Sequence, residues 1–174
     1  MIKISKGLDL PISGSPINTI SDEPKVSSVA LLSNDFIGMK PTMLVKEGET
    51  VKAGQKIFED KKNNGVYFTS PAGGIVKDIN RGDKRRFLSI EIDIKDTEEF
   101  VNFDMDDSVN RIKECLIHSG LWNAFRTRPF NRTPGINEIP DALFINCCDS
   151  NPLSIDPYEI ISVSYTHLTL PTRS

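Results

Sequence analysis

The sequence predicts two kinds of structure in series, an all-β front over residues 1–100 followed by the opening of an α/β unit. Three observations predict it. Short apolar runs recur between turn residues up to residue 94, the pattern of small all-β domains. From Ser108 the apolar spacing changes to the three and four residues of a helix. Charge also changes sign near residue 96: residues 1–95 carry 15 Lys and Arg against 12 Asp and Glu, whereas residues 96–161 carry 5 against 12.

The strands are expected at Val29–Leu32, Thr42–Val45, Lys56–Glu59, Val66–Thr69, Ile75–Ile79 and Phe87–Ile94. The last alternates, with Leu88, Ile90, Ile92 and Ile94 on one face and Ser89, Glu91 and Asp93 on the other. Between them lie turn clusters around Gly48, Gly54, Gly65, Gly73-Gly74 and Gly82. Asn64-Gly65 predicts a type I′ hairpin, because both residues tolerate positive φ. No helix fits this stretch. Arg81, Lys84, Arg85 and Arg86 crowd four cations onto the turn before the last strand. They form a candidate docking patch for an anionic partner or lipid headgroups. A solvated tip that discourages edge pairing explains them equally well.

Six acids between residues 96 and 107 read as a solvated connection. A helix then fits from about Ser108, with Val109, Ile112, Cys115 and Leu116 on one face, Asp106 and Asp107 near its positive end, and Gly120 as its C-cap. Trp122, Phe125, Arg126, Arg128 and Phe130 interleave aromatics with arginines. Such a segment can pack a subunit interface or simply bury its rings with the arginine stems snorkelling to water. Asp141–Asn146 reads as a buried strand, and helix, loop and strand over 101–160 make an incomplete α/β domain. The last 13 residues, from Ser162, have strand-like composition but resemble a translated sequencing adapter, so residues 161–174 are expected to be an artefactual tail on a truncated chain.

Composition excludes several classes. With 38% apolar and 26% charged residues the chain is globular, neither disordered nor collagen-like. No apolar run is long enough to cross a bilayer, and residues 1–6 lack a signal-peptide core. Three cysteines, two of them adjacent at Cys147 and Cys148, give neither a disulfide framework nor metal-ligand spacing. These features point to a cytoplasmic chain. Neither half is basic enough to make nucleic acid the default partner.

Two resemblances sharpen this reading. Val45–Lys61 and Ser70–Ile79 resemble the two halves of biotinyl/lipoyl carrier domains, which implies a barrel-sandwich hybrid for the all-β front. On that likeness Glu59-Asp60-Lys61 sits where carriers present their modified lysine, so a swinging-arm domain modified on Lys61 is the alternative function. The loop from Lys61 to Gly65 is longer and more polar than such a hairpin, and Pro41 spoils the faint biotinylation echo at Met39-Lys40.

The second resemblance covers all but the tail. Lys6–Ile12, Gly38–Met43, Phe58–Asn63, Ile79–Gly82, Ser119–Trp122 through Phe130, and Asp149–Leu153 together resemble the A subunits of the sodium-translocating NADH:quinone oxidoreductases, the Nqr complexes. That implies a peripheral protein on the cytoplasmic face of the membrane, in a complex that uses NADH, flavins, iron–sulfur centres and ubiquinone to export sodium. Its partners would be the other subunits, with ubiquinone a further candidate, and membrane association would come only through those subunits. The resemblance extends to flavin-binding relatives, the Rnf C subunit and the NADH-binding subunit of complex I. Their glycine-rich phosphate loop corresponds here to Leu121–Thr127, which has no glycine. The expectation is therefore a chain with no bound cofactor, no metal and no catalytic residue of its own. Trp122, Phe125, Arg126, Arg128 and Phe130 remain candidate quinone or subunit contacts.

Overall fold

The computed structural model describes residues 12–17, 25–95, 99–103, 109–146, 151, 153–156 and 158. Asp106, Asp107, Cys147, Cys148 and the segment 161–174 lie outside these residues. The described residues divide into two compact units, one within 25–139 and the other drawn from 12–17 and 140–158.

The first unit begins with strands β1 (Ser28–Leu32), β2 (Pro41–Met43), β3 (Thr50–Val51), β4 (Lys56–Asp60), β5 (Tyr67–Thr69), β6 (Gly74–Arg81) and β7 (Phe87–Ile94). They pair antiparallel into two sheets, ordered β1-β7-β6-β3 and β2-β4-β5. Val51, Val76, Ile90 and Ile92 from the first sheet meet Ile57, Phe58 and Phe68 from the second in one buried cluster. Val45, Val66 and Phe87 close its ends. Phe58 lies at the centre, stacked on Phe68 with ring centroids 4.5 Å apart and tilted against Phe87 at 5.5 Å. Two facing sheets over a shared aromatic and β-branched core are the expected barrel-sandwich arrangement. Six strands lie where the sequence pattern places them, and the two-residue β3 is an addition to it.

Two local departures have a common cause. Ile57 and Phe58 are consecutive yet both fully buried, which strict alternation forbids. The register between β4 and β5 shifts here, a bulge that turns both side chains inward. In β7 the expected face breaks at Leu88, which is exposed while Phe87 and Ser89 are buried. Asn80 pairs with Ser89 and Arg81 with Phe87, so Leu88 is the extra residue of a second bulge. Phe87 thereby takes the core position that the alternation assigned to its neighbour.

The expected type I′ hairpin at Asn64-Gly65 is also corrected. Of the two residues only Gly65 has positive φ, at +86°. Two successive turns connect the strands instead, closed by the Asn63 N–H to the Asp60 carbonyl and the Val66 N–H to the Asn63 carbonyl. A turn of the second kind needs positive φ only at its third residue, which glycine supplies.

Helix α1 (Val109–His118) forms where the 3.6-residue spacing placed it. Gly120 ends it at φ +80°, ψ −2°, the left-handed conformation expected of the residue that closes a helix. The strand expected at 141–146 does not form. Leu143, Phe144 and Ile145 are 63%, 84% and 81% exposed, and among the described residues no strand pairs with them. A buried parallel strand needs strands on both sides, and among the described residues none pairs with 141–146.

Candidate functional site

The segment after α1 wraps the β5 edge of the smaller sheet. The Thr69 hydroxyl donates to the Ser119 carbonyl at 2.9 Å, occupying one of the acceptors left free at the helix end. Lys56 Nζ lies 2.9 Å from His118 Nδ1 and 3.8 Å above the Tyr67 ring. Burial lowers the Lys56 pKa, partly offset by the Glu59 carboxylate. A short 3-10 turn, Leu121–Ala124, then carries Asn123 inward, and its amide donates to the Tyr67 carbonyl at 2.6 Å. Asn123 Oδ1 is buried with no partner among the described residues. In the sequence nothing marks Asn123 except that a polar residue stands among aromatics.

Each of the five candidate contact residues now has a place. Trp122 packs on the core cluster, and its indole N–H donates to the Pro134 carbonyl at 3.0 Å. Phe125 meets it edge-on at 5.4 Å. Arg126 reaches across to the loop after β1. Its guanidinium sits 5.2 Å from the Phe36 ring and donates to the Asp35 carbonyl at 3.4 Å and the Thr133 hydroxyl at 3.2 Å, and also to the Asn123 carbonyl. Burial lowers its pKa while Asp35 raises it back in part. Trp122 and Arg126 fasten the segment to the barrel, and Phe125 packs on Trp122. Arg128 and Phe130 do not join them. They stand on an exposed loop closed by the Thr127 N–H to Arg132 carbonyl bond, with Phe130 69% exposed.

Leu121–Thr127 does not form an open phosphate cradle. The Asn123 and Phe125 N–H groups bond to the Gly120 and Trp122 carbonyls within the turn. The Arg126 side chain occupies the carbonyls beside them. A flavin phosphate needs such N–H groups free and pointed at it, and those of Asn123 and Phe125 are already bonded.

Lys61 is exposed directly after β4, with its N–H bonded to the Lys40 carbonyl. The acids before it are engaged locally. Asp60, 8% exposed, accepts the N–H groups of Lys40 and Lys62, each at 3.0 Å, and Glu59 accepts that of Gly65 at 2.8 Å. Asp60→Ala would leave two N–H groups without their acceptor. It is expected to cost about 2–3 kcal/mol in urea denaturation, and an unchanged midpoint would contradict this role.

Arg81, Lys84, Arg85 and Arg86 gather on one wall of a groove of about 610 Å³ at the end of the barrel. Lys40 and Lys62 also line it, above a floor that includes Phe36, Met39, Pro41 and Phe87. The groove unites loops that are distant in sequence, so only its β6–β7 part was legible there.

Comparison with known families decides where this arrangement belongs. The family model of the NqrA N-terminal barrel-sandwich hybrid domain matches residues 2–95, and that of the NqrA second alpha/beta domain matches residues 108–170. The chain belongs to the NqrA family. The second match runs into the segment 161–174, which the sequence alone led us to expect as a tail.

Three NqrA relatives are each named as the A subunit of a Na(+)-translocating NADH-quinone reductase. That of Klebsiella pneumoniae (strain 342) is 49% identical, over 92% of this chain and 37% of the relative. That of Yersinia pseudotuberculosis serotype O:1b (strain IP 31758) is 47% identical, over 99% and 41%. That of Hahella chejuensis (strain KCTC 2396) is 49% identical, over 93% and 38%. The chain thus spans about two-fifths of the length of the NqrA relatives it matches. Among the described residues no helix is long and apolar enough to cross a membrane.

Proposed function

We propose that this NqrA chain is part of the A subunit of a sodium-pumping NADH:ubiquinone reductase, an oxidoreductase and translocase whose redox chemistry takes place on other subunits. The observation that carries the reading is the pair of family matches, in order, over a barrel-sandwich domain and the start of an α/β domain. The relatives favour it over a carrier domain modified on Lys61. In the proposed complex the chain lies on the cytoplasmic face and is held at the membrane by the other subunits.

The division of labour within the Trp122–Phe130 segment supports a scaffolding role. Asn123 fastens the segment to β5, Trp122 packs on the core and Arg126 reaches the loop after β1, whereas Arg128 and Phe130 are exposed and offer the contact to a neighbouring subunit or to ubiquinone. An aromatic beside an arginine suits either role, through stacking and hydrogen-bond donation. The occupied N–H groups of the 121–127 turn support a chain without flavin of its own.

Deleting the gene that encodes this chain tests the proposal. Membranes of the deletion strain should lose sodium-stimulated NADH oxidation with ubiquinone as acceptor, and the intact gene should restore it. Undiminished sodium stimulation in the deletion strain would contradict the assignment. The purified chain should show no flavin absorbance and an unmodified intact mass. A lipoyl or biotinyl adduct on Lys61 would revive the carrier reading.

A further inference from the structure

The groove at the barrel end combines features that neither the core nor the respiratory reading explains. Six cations line it, Lys40, Lys62, Arg81, Lys84, Arg85 and Arg86, and all six are exposed. Among the described residues no carboxylate lines it. Asp35 and Asp83 sit on the same loops, but none of the six cations has a described carboxylate within ion-pair distance. Arg86 donates instead to the neutral Asn34 Oδ1, at 3.4 Å. Arg132 also approaches this end beside Gly38. In a chain of net charge −3 this is a strong local concentration of one sign, and its self-repulsion opposes folding.

The backbone accentuates the concentration. Lys84 and Arg85 both have positive φ, 54° and 61°, where side chains other than glycine are disfavoured by roughly 1–2 kcal/mol each. Their turn is held by the Gly82 N–H to Arg86 carbonyl and Arg86 N–H to Asp83 carbonyl bonds. Two consecutive left-handed residues place two cations on the rim, at positions where glycine would fit without strain. Strain that the surrounding structure maintains in this way points to a function.

We propose that this barrel end binds the anionic headgroups of a phospholipid membrane. The groove is an open trough whose donors are long side chains on three different loops, and no buried polar group on its lining fixes the orientation of a ligand. That is the chemistry of headgroup attraction, about 1 kcal/mol for each cation near an anionic surface. Ile37, 51% exposed on the lining, supplies an aliphatic side chain at the level of the cations, suited to the headgroup boundary. The inference stands on the barrel end and does not depend on the respiratory assignment. It adds a direct lipid contact to the attachment through other subunits.

Co-sedimentation of the full chain with vesicles tests it. At low salt the chain should bind phosphatidylcholine vesicles containing roughly one-third phosphatidylglycerol, fail to bind phosphatidylcholine alone, and be released at about 1 M salt, where charges are screened within a few ångströms. R81Q/K84Q/R85Q should bind on the order of a hundredfold more weakly, and K40Q/K62Q, on the opposite wall, roughly thirtyfold more weakly. K77Q/K95Q removes two charges off the groove and should bind more tightly than K40Q/K62Q. Circular dichroism confirms that each variant is folded. Glycerol phosphate in solution should not displace the chain from vesicles. Failure to bind the anionic vesicles, equal losses from K40Q/K62Q and K77Q/K95Q, or full displacement by glycerol phosphate would overturn the proposal, the last in favour of a site for a soluble phosphate ligand.

Discussion

Phe58→Ala is expected to destabilise the 25–139 unit by about 3–5 kcal/mol, the largest effect of any single truncation in the barrel. Phe58 is fully buried and is the ring through which the two sheets meet, stacked on Phe68 and tilted against Phe87. Removing it loses the transfer energy of an aromatic side chain and leaves a cavity. The lining cannot readily collapse into that space, because the bulge at Ile57/Phe58 fixes the backbone beside it. Small domains have only about 5–15 kcal/mol of stability, so the variant should unfold at markedly lower urea concentration. Phe58→Leu, which refills most of the volume, should recover a large part of the loss. A Phe58→Ala variant within about 1 kcal/mol of the parent, on the order of an ordinary surface change, would mean that the two sheets do not share this core.

Gly120→Ala is expected to cost about 2–5 kcal/mol and to undock α1 from the barrel, through two effects that add. The left-handed conformation at φ +80° disfavours any side chain by roughly 1–2 kcal/mol. A Cβ on Gly120 would also lie 2.5 Å from Thr69 Oγ1 and 3.1 Å from its Cγ2. That hydroxyl cannot simply move away, since it holds the Ser119 carbonyl at 2.9 Å. Strain of this kind typically contributes a further 1–3 kcal/mol, about as much as the conformational effect. The two origins separate in a double-mutant cycle with Thr69→Ala. Most of the steric part should be relieved in the double variant, where only the Cβ of residue 69 stays close at 3.2 Å, giving a coupling of about 1 kcal/mol or more, while the conformational part remains. Strict additivity would show that α1 does not rest on β5.

How much of this was legible in the sequence differs between elements. The strands of the barrel were legible because glycine turns and β-branched runs are local signals. Helix α1 and its closing glycine were legible because the apolar spacing and Gly120 are local too. The bulges at Phe58 and Leu88 were not, since a one-residue slip depends on what the facing strand offers. The strand expected at Asp141–Asn146 shows the reverse error. An apolar run of that length marks a strand only where partners pair with it, and sequence pattern carries no information about them.

The candidate site divides in the same way. The interleaved aromatics and arginines were visible, but the pattern could not distinguish Trp122 and Arg126, which fasten the segment, from Phe130, which is exposed. The distinction comes from other residues of the chain, Pro134 for Trp122 and Phe36 for Arg126. Likewise the patch at Arg81–Arg86 was visible as a local charge run, whereas its completion by Lys40 and Lys62 required the fold to bring three loops together.

The most direct test is a chimera. Residues 1–159 of this chain would replace the matching part of NqrA in Klebsiella pneumoniae, and sodium-stimulated NADH:ubiquinone reduction would be measured in its membranes. Activity close to that of the unaltered complex is expected, with flavin content per complex unchanged. A chimera that assembles in normal amount yet has lost sodium-stimulated quinone reduction would contradict the assignment of this chain to the sodium pump.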